Sequence, residues 1–507
     1  MATTRARDGG SADEHEPDGG RQPNDRLSAW FARSGWSKGE LARQVNRHAR
    51  AMSAPHVSTD TSRVRRWLDG EQPREPIPQI LAELFTRRFG RVVSIDELGL
   101  REPDEPHGDF GVDLPWTFET VVEILGEYTR GDLLLGRQEF VGPSLRLAAG
   151  RDLVEPLQRW SAPLPAAPAP LPAPIVPGAG VGAGAGVGRG GRRPRLPASA
   201  TEHLHESVRL FRRWDMQGGG GLRRKAVIGQ LNALTDLLRD EHPPAVRARL
   251  LGLTAELALL AGWMSYDTGL QPGAQKYMVL ALHAAKECDD APFGANVLGV
   301  MSRQMIHYEL AEDALELIHL AQYGSRDTGG AGLQAMLYTL EGRAYAALGD
   351  TDRCRRALGL AEQALADSRP HTEPDWIRYF NRAELLCESG HAYRDLAYTR
   401  PAFVAPAKER LSETVRLLLG TGEFVRSLAL AHVGLATVFL IEHDPAGAVE
   451  QATAALEIAF RVRSERLIVR LRRTVEALAG RFPADPAVCE LAARVARELP
   501  EAPFPTA

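Results

Sequence analysis

Residues 37–73 read SKGELARQVNRHARAMSAPHVSTDTSRVRRWLDGEQP. The spacing predicts two short helices joined by a turn, the second one basic. Ser37 followed three residues later by Glu40 is a capping box: the hydroxyl takes the Glu40 N–H, and the carboxylate returns to the N–H of Ser37. Leu41, Ala42, Val45 and Ala49 fall on one helical face. Asp60 or Thr61 caps the second helix, and Val64, Trp67 and Leu68 form its apolar stripe. Gly70 is placed to end it in the left-handed region, and Pro73 prevents its resumption. The other face carries Thr61, Ser62, Arg63, Arg65 and Arg66. An apolar back, hydroxyls at the N-terminus and arginines in front suit the DNA major groove, where arginine pairs bidentately with guanine. On an isolated helix the same arginines would read as a solvated face.

Outward from this pair, Leu27, Trp30 and Phe31 mark a preceding helix, Ile80, Leu81, Leu84, Phe85 and Phe89 a following one, and Ile95, Leu98 and Leu100 a last turn. The arrangement over residues 24–100 resembles the small repressor-like helix-turn-helix domains. Leu41-Ala42-Arg43-Gln44-Val45-Asn46 and Val64–Pro73 stand where those domains carry their motifs, with Asn46 in place of the usual glycine and an extended turn through Arg47–Thr59. The resemblance implies double-stranded DNA as partner and a homodimer reading paired half-sites. The expected DNA-contacting residues are Ser37, Lys38, Arg43, Thr61, Ser62, Arg63, Arg65 and Arg66, with Lys38 and Arg43 as phosphate contacts.

The charge distribution agrees. The net charge of the 507 residues is −4, yet residues 21–100 hold 14 basic against 9 acidic residues, while residues 1–20 hold 2 against 5. A locally basic domain on a mildly acidic chain suits selective rather than indiscriminate nucleic-acid contact. Cys288, Cys354, Cys387 and Cys489 are far apart, which suggests neither a zinc ribbon nor a disulfide framework, but buried reduced thiols. Neither a secretory signal nor a membrane-spanning run of apolar residues is legible. The expected location is cytoplasmic and nucleoid-associated.

The expected class is all-α, with a Pro/Ala/Gly linker between an N-terminal helix-turn-helix domain and a C-terminal helical-repeat solenoid. Residues 1–23 read as a disordered tail. Residues 116–160 read as a helical connector, with Phe118, Val121, Val122, Leu125 and Tyr128 at helical spacing and packing or dimerisation as its default role. In the linker, 161–198, seven prolines fall in 163–177 and eight glycines in 178–191, so an extended half precedes a flexible one. Its GxG patterns lack the strand, helix and GK[ST] context of a phosphate loop, as does the Gly218–Gly221 hinge.

Residues 201–500 repeat. Gly262, Ser302 and Gly342 are each 40 apart, as are Ala274, Ala314 and Cys354, and Ala281, Ala321 and Ala361. Weaker units fall around Gly390 and around Ala436, Ala448 and Ala455. Small residues at fixed places in paired helices allow close approach, and stacked pairs make a solenoid. The pattern resembles tetratricopeptide (TPR) repeats with longer connections. In that geometry the first helices line a groove, in which Trp263, Arg303 and Arg343 are equivalent and Tyr266, Asn296 and Met336 lie nearby. The two arginines beside aromatic residues suit a carboxylate, whether of a peptide, a protein or a small-molecule effector. Ordinary salt bridging between repeats is the competing reading.

With both halves read, the chain resembles the NsdA-type regulators of filamentous, antibiotic-producing bacteria. The carrying segments are GWSKGELARQVN (35–46), STDTSRVRRWLDGEQPREPIP (58–78), LAGWMSYDTG (260–269) and VMSRQ (300–304). The resemblance implies a transcriptional regulator that holds back sporulation and antibiotic production. The alternative from the residues is a protein-interaction scaffold without direct DNA binding. An enzyme is not expected: HExxH, P-loop and nucleophile-elbow motifs are missing, His203 and His205 have no ligand partners at useful spacing, and neither metal nor cofactor is called for.

Overall fold

The computed structural model describes residues 23–51, 58–74, 76–89, 93, 95, 97–100, 111–139, 147–162, 198–219, 223–462 and 464–499. The tail at 1–22 and the linker at 163–197, including Arg192, Arg193 and Arg195, lie outside them. Among the described residues the regular structure is entirely helical. The chain divides into two compact units, one of residues 1–89 with 93–104, the other of 90–92 with 105–507.

The first unit holds α1 (Asp25–Ser34), α2 (Lys38–Ala51), α3 (Thr61–Leu68) and α4 (Ile77–Phe89). Its core joins Leu27 and Trp30 of α1, Leu41, Val45 and Ala49 of α2, Val64 and Trp67 of α3, and Ile80, Leu81 and Phe85 of α4. Val93, Ile95, Leu98 and Leu100 close it from a last turn. Asn24 ties the two ends together. Its Oδ1 caps α1 at Leu27 N, and its Nδ2 donates to the carbonyls of Leu98 (2.9 Å) and Gly99 (3.1 Å).

The second unit begins with α5 (Phe118–Glu139) and α6 (Arg151–Gln158). The segment expected to be a connector is thus part of this unit's main core, where Val121, Leu125, Tyr128, Leu153, Leu157 and Trp160 are buried. Polar anchors explain why it docks. Arg224 grips the Asp132 carboxylate with both terminal nitrogens, and Tyr277 OH donates to the same group at 2.8 Å. Gln275 exchanges hydrogen bonds with the backbone of Ala148 at 2.7 and 2.9 Å. The Trp160 indole lies so close to Gly294 and Gly324 that a Cβ at either would sit within 2.5 Å of the ring.

Then follow α7 (Ala198–Gly218) and α8 (Arg224–Leu238), separated where the glycine hinge was expected. Six helical hairpins come next: α9 (Pro244–Asp267) with α10 (Gln271–Glu287), α11 (Ala291–His307) with α12 (Ala311–Ser325), and α13 (Ala331–Ala347) with α14 (Thr351–Asp367). The last three are α15 (Arg382–Ala397) with α16 (Val404–Leu418), α17 (Val425–Ile441) with α18 (Pro445–Ala459), and α19 (Glu465–Arg481) with α20 (Pro486–Glu498). Consecutive pairing of this kind is consistent with a helical-repeat solenoid.

The 40-residue period has a backbone cause. Gly269, Glu309 and Gly349 all have positive φ (82°, 63° and 74°). In each of these three hairpins the next residue's N–H reaches back five positions: Leu270 to Ser265, Leu310 to Met305 and Asp350 to Tyr345. This is the Schellman closure, which turns the chain sharply and satisfies the last helical carbonyls. The small residues read as repeat markers sit at the crossing of each pair. A Cβ on Gly262 would stand 2.9 Å from Met278 Cγ and 3.1 Å from the Ala274 carbonyl, and one on Gly342 2.7 Å from Leu358.

The row of hairpins does not stay open. The first helices α9, α11, α13, α15, α17 and α19 touch in order, and α19 returns to α9. Asp267 at the end of α9 is the clasp: wholly buried, it accepts from Arg426 Nη1 of α17 (2.9 Å) and from Ser464 Oγ just before α19 (2.7 Å). Asp215 of α7 takes the other nitrogen of Arg426 at 2.8 Å.

The four cysteines are free; Cys354 and Cys387 are buried, Cys288 is half-buried, and Cys489 is exposed, contrary to its expected burial. Among the described residues no helix is long and apolar enough to cross a membrane, and no cluster of His, Cys, Asp and Glu is arranged to hold a metal.

Candidate functional site

Two places gather the residues singled out in the sequence. In the first unit, Ser37 caps α2 through Glu40 N (3.2 Å), while the expected return bond from the Glu40 carboxylate does not form. Asp60 caps α3 by accepting from Arg63 N at 2.8 Å. Gly70, at φ 97°, ends α3, with Glu71 N donating to Arg66 O at 2.8 Å. Among the described residues, Asn46 anchors the extended turn. Asn46 Oδ1 accepts from Thr59 N and its Nδ2 donates to Thr59 O, both at 2.7 Å, just ahead of the α3 cap. The helix carrying Asn46 runs on to Ala51, and residues 52–57 of the turn lie outside the described residues.

Ser37, Lys38, Arg43, Thr61, Ser62, Arg63, Arg65 and Arg66 are all exposed. The N-terminal ends of α2 and α3 meet, so that a Cβ on Gly39 would lie 3.6 Å from Arg43 Nη1, 3.7 Å from Thr61 Cγ2 and 4.0 Å from Ser37 Oγ. Lys38 opens α2 beside them. Arg65 and Arg66 lie 3.6 and 3.8 Å from Asp69 and Glu71, loose pairs in open solvent that constrain them little. Arg63 has no carboxylate partner among the described residues.

The second place is a cavity of about 840 Å³ inside the ring, lined from α7, α9, α11, α13, α15, α17, α19 and the 375–381 segment. Trp263, Tyr266, Asn296, Arg303 and Arg343 line it, as the repeat register predicts. Met336 does not. It is fully buried behind the wall, and Tyr379 OH donates to its sulfur at 3.1 Å.

The two register-equivalent arginines are bridged, in agreement with the salt-bridge reading. Arg303 and Arg343 each place Nη1 on one oxygen of Glu388, the Arg343 contact at 2.6 Å. Burial alone would raise the Glu388 carboxyl, but the two guanidiniums hold it down to about 2. Bridging does not use every nitrogen: among the described residues Arg303 Nε and Nη2 and Arg343 Nε are buried without a hydrogen-bond partner, while Arg343 Nη2 lies 3.7 Å from Asp395. Asn296, 2% exposed, makes no hydrogen bond among the described residues. Burial, with Arg394 and Arg343 close by, pushes His391 well below its usual range, so the ring is neutral. Arg394 Nη1 donates to its Nδ1 at 3.0 Å, which leaves the proton on Nε2, where it finds no acceptor among the described residues.

Sequence reasoning missed Glu388, His391, Arg426, Arg466 and Arg470. The one available signal was the spacing of Arg466, Arg470 and Arg473, a basic stripe at helical period on α19. Arg466 lies 5.0 and 5.1 Å from the ring centroids of Trp263 and Tyr266 and 3.6 Å from Asp267. Arg470 has no carboxylate partner among the described residues.

Residues 27–101, which span the helices of the first unit, match the SP15 N-terminal domain family. No curated protein matches the chain.

Proposed function

We propose that the chain is a DNA-binding transcriptional regulator in which the first unit, a repressor-like helix-turn-helix domain, reads double-stranded DNA, and the second, a TPR-like repeat, holds an effector or partner. The reading is carried by the exposed basic face of α3, whose opposite side, Val64 and Trp67, is fixed in the core. A helix so anchored presents Arg63, Arg65 and Arg66 at low conformational cost, with Ser37, Arg43 and Thr61 gathered beside its N-terminus for phosphates. Paired half-sites call for a homodimer, and the resemblance to NsdA-type regulators adds the role: a cytoplasmic regulator that holds back sporulation and antibiotic production.

Selection of bound genomic fragments by the purified chain at near-physiological salt tests the reading. Enrichment of one paired site is the expected outcome. Arg63→Ala then costs about 1–3 kcal/mol at one base pair and relaxes preference there. Lys38→Ala and Arg43→Ala weaken all sequences alike and each reduce the salt slope by about one unit. Unchanged specific binding by Arg63→Ala would remove α3 as the reading helix. The extended turn before α3 and the modest basic excess of residues 21–100 favour the scaffold reading instead. That reading gains if no fragment is enriched while a protein partner is retained without DNA.

A further inference from the structure

The cavity holds more buried positive charge than its walls neutralise. Arg303, Arg343, Arg426, Arg466 and the half-buried Arg470 face Glu388, Asp215 and Asp267, with Asp395, itself paired to Arg394, 3.7 Å from Arg343. Glu384 stands beside them: burial pushes its carboxyl upward, while Arg303 and the hydrogen bond from Ser427 draw it back down. Like charges crowded in a poorly hydrated site repel strongly unless a counter-ion joins them. The imbalance is greatest at Arg470. Burial and then the neighbouring Arg466 pull it down to about 10, with Arg343 and Arg394 also contributing. Around the same space stand donors without acceptors among the described residues: Arg303 Nε and Nη2, Arg343 Nε and His391 Nε2–H. Unused buried donors on several separate helices cost free energy unless an acceptor arrives to meet them.

We infer that this cavity binds a small organic anion, whose carboxylate or phosphate is received by Arg470 and Arg466, and whose apolar or aromatic body lies along Leu260, Trp263, Val300, Leu340 and Tyr379. The volume is that of a site for a drug-sized molecule. Guanidiniums suit planar and tetrahedral oxyanions alike. Asn296, with a free amide, supplies a polar contact for the body. This deepens the effector half of the function proposed above and rests on it. Arg466 gives the site a route to the clasp, because the guanidinium that meets the anion also faces Asp267 at 3.6 Å.

The test is a melting and calorimetric titration of the full chain, without DNA, with inorganic phosphate, phenyl phosphate, phenylacetate and the neutral 2-phenylethanol. The anionic probes are expected to raise the melting temperature saturably and the neutral one not to. A stronger response to phenyl phosphate than to phenylacetate assigns the head as phosphate, and the reverse as carboxylate. Arg470→Gln relieves repulsion, so the ligand-free variant melts higher than the parent while binding the anions about tenfold more weakly or worse. Two results would overturn the inference: no saturable response to any anion at millimolar concentration, or equal responses in the parent and in Arg470→Gln. Because DNA is absent, failure here leaves the reading of the first unit untouched, and failure to enrich a DNA site leaves this one untouched.

Discussion

Glu388 shows how much one side chain decides. It neutralises two buried arginines from two different hairpins, so Glu388→Gln leaves Arg303 without its carboxylate and Arg343 with only the more distant Asp395, 3.7 Å away, and should destabilise the chain by about 3–5 kcal/mol at neutral pH. The pH dependence has a definite sign. The folded-state carboxyl sits at about 2, below its ordinary value of 4.5, so its contribution is complete above about 4.5 and is lost as the pH falls from there toward 2. Urea unfolding at a series of pH values should show the parent losing more stability than Glu388→Gln across that window. Equal slopes would mean that Glu388 is not the shared anion. The sequence placed Arg303 and Arg343 in register but not their partner, because Glu388 belongs to α15, whose unit is among the weakest matches to the period. Arg470 was passed over for another reason: an arginine on a helix face reads as solvated until the elements opposite it are known.

At the scale of the element, the 40-residue spacing made the hairpins legible, and the close helix crossings follow from it. Gly262→Ala should cost about 1–3 kcal/mol, because the added methyl meets the Ala274 carbonyl, which cannot swing aside. Gly359→Ala, in α14 with open space around it, should stabilise by about 0.5–1 kcal/mol. Denaturant melts of the two variants distinguish a packing glycine from an incidental one. The middle hairpin breaks the pattern in a way the sequence hid. Glu309 adopts the left-handed conformation that Gly269 and Gly349 hold freely, and it is exposed, so Glu309→Gly should gain about 1 kcal/mol despite glycine's usual penalty. A loss instead would show that the Glu309 side chain contributes more than its backbone strain costs. In the first unit, Asn46 stands where a glycine was expected, and the structure gives it a task no glycine performs. Asn46→Gly removes both hydrogen bonds to Thr59 and should lower that unit's stability by about 1–3 kcal/mol, read by the fluorescence of Trp30 and Trp67 on unfolding.

At the scale of the molecule, two features were out of reach of any local pattern. Residues 116–160 carry ordinary amphipathic helices, and nothing in them names Arg224, Tyr277 or the glycines that receive Trp160. Closure of the repeat row depends on Asp215 and Asp267 meeting Arg426, partners 211 and 159 positions apart. Removing the clasp should act far from the substitution. Asp267→Ala should speed amide hydrogen exchange throughout α19 and α20 while leaving α11–α14 protected, since their packing does not pass through Asp267. Uniform acceleration would mean that the repeats unfold as one unit.

The clasp also bears on how such a chain can change over time. An open row lengthens or shortens by whole hairpins, like beads added at the free end of a string. A bracelet cannot: one bead more or fewer and Asp267 no longer arrives opposite Arg426 and Ser464. The number of hairpins here is therefore fixed by arithmetic rather than by taste, and variation is confined to what each bead carries on its inner face.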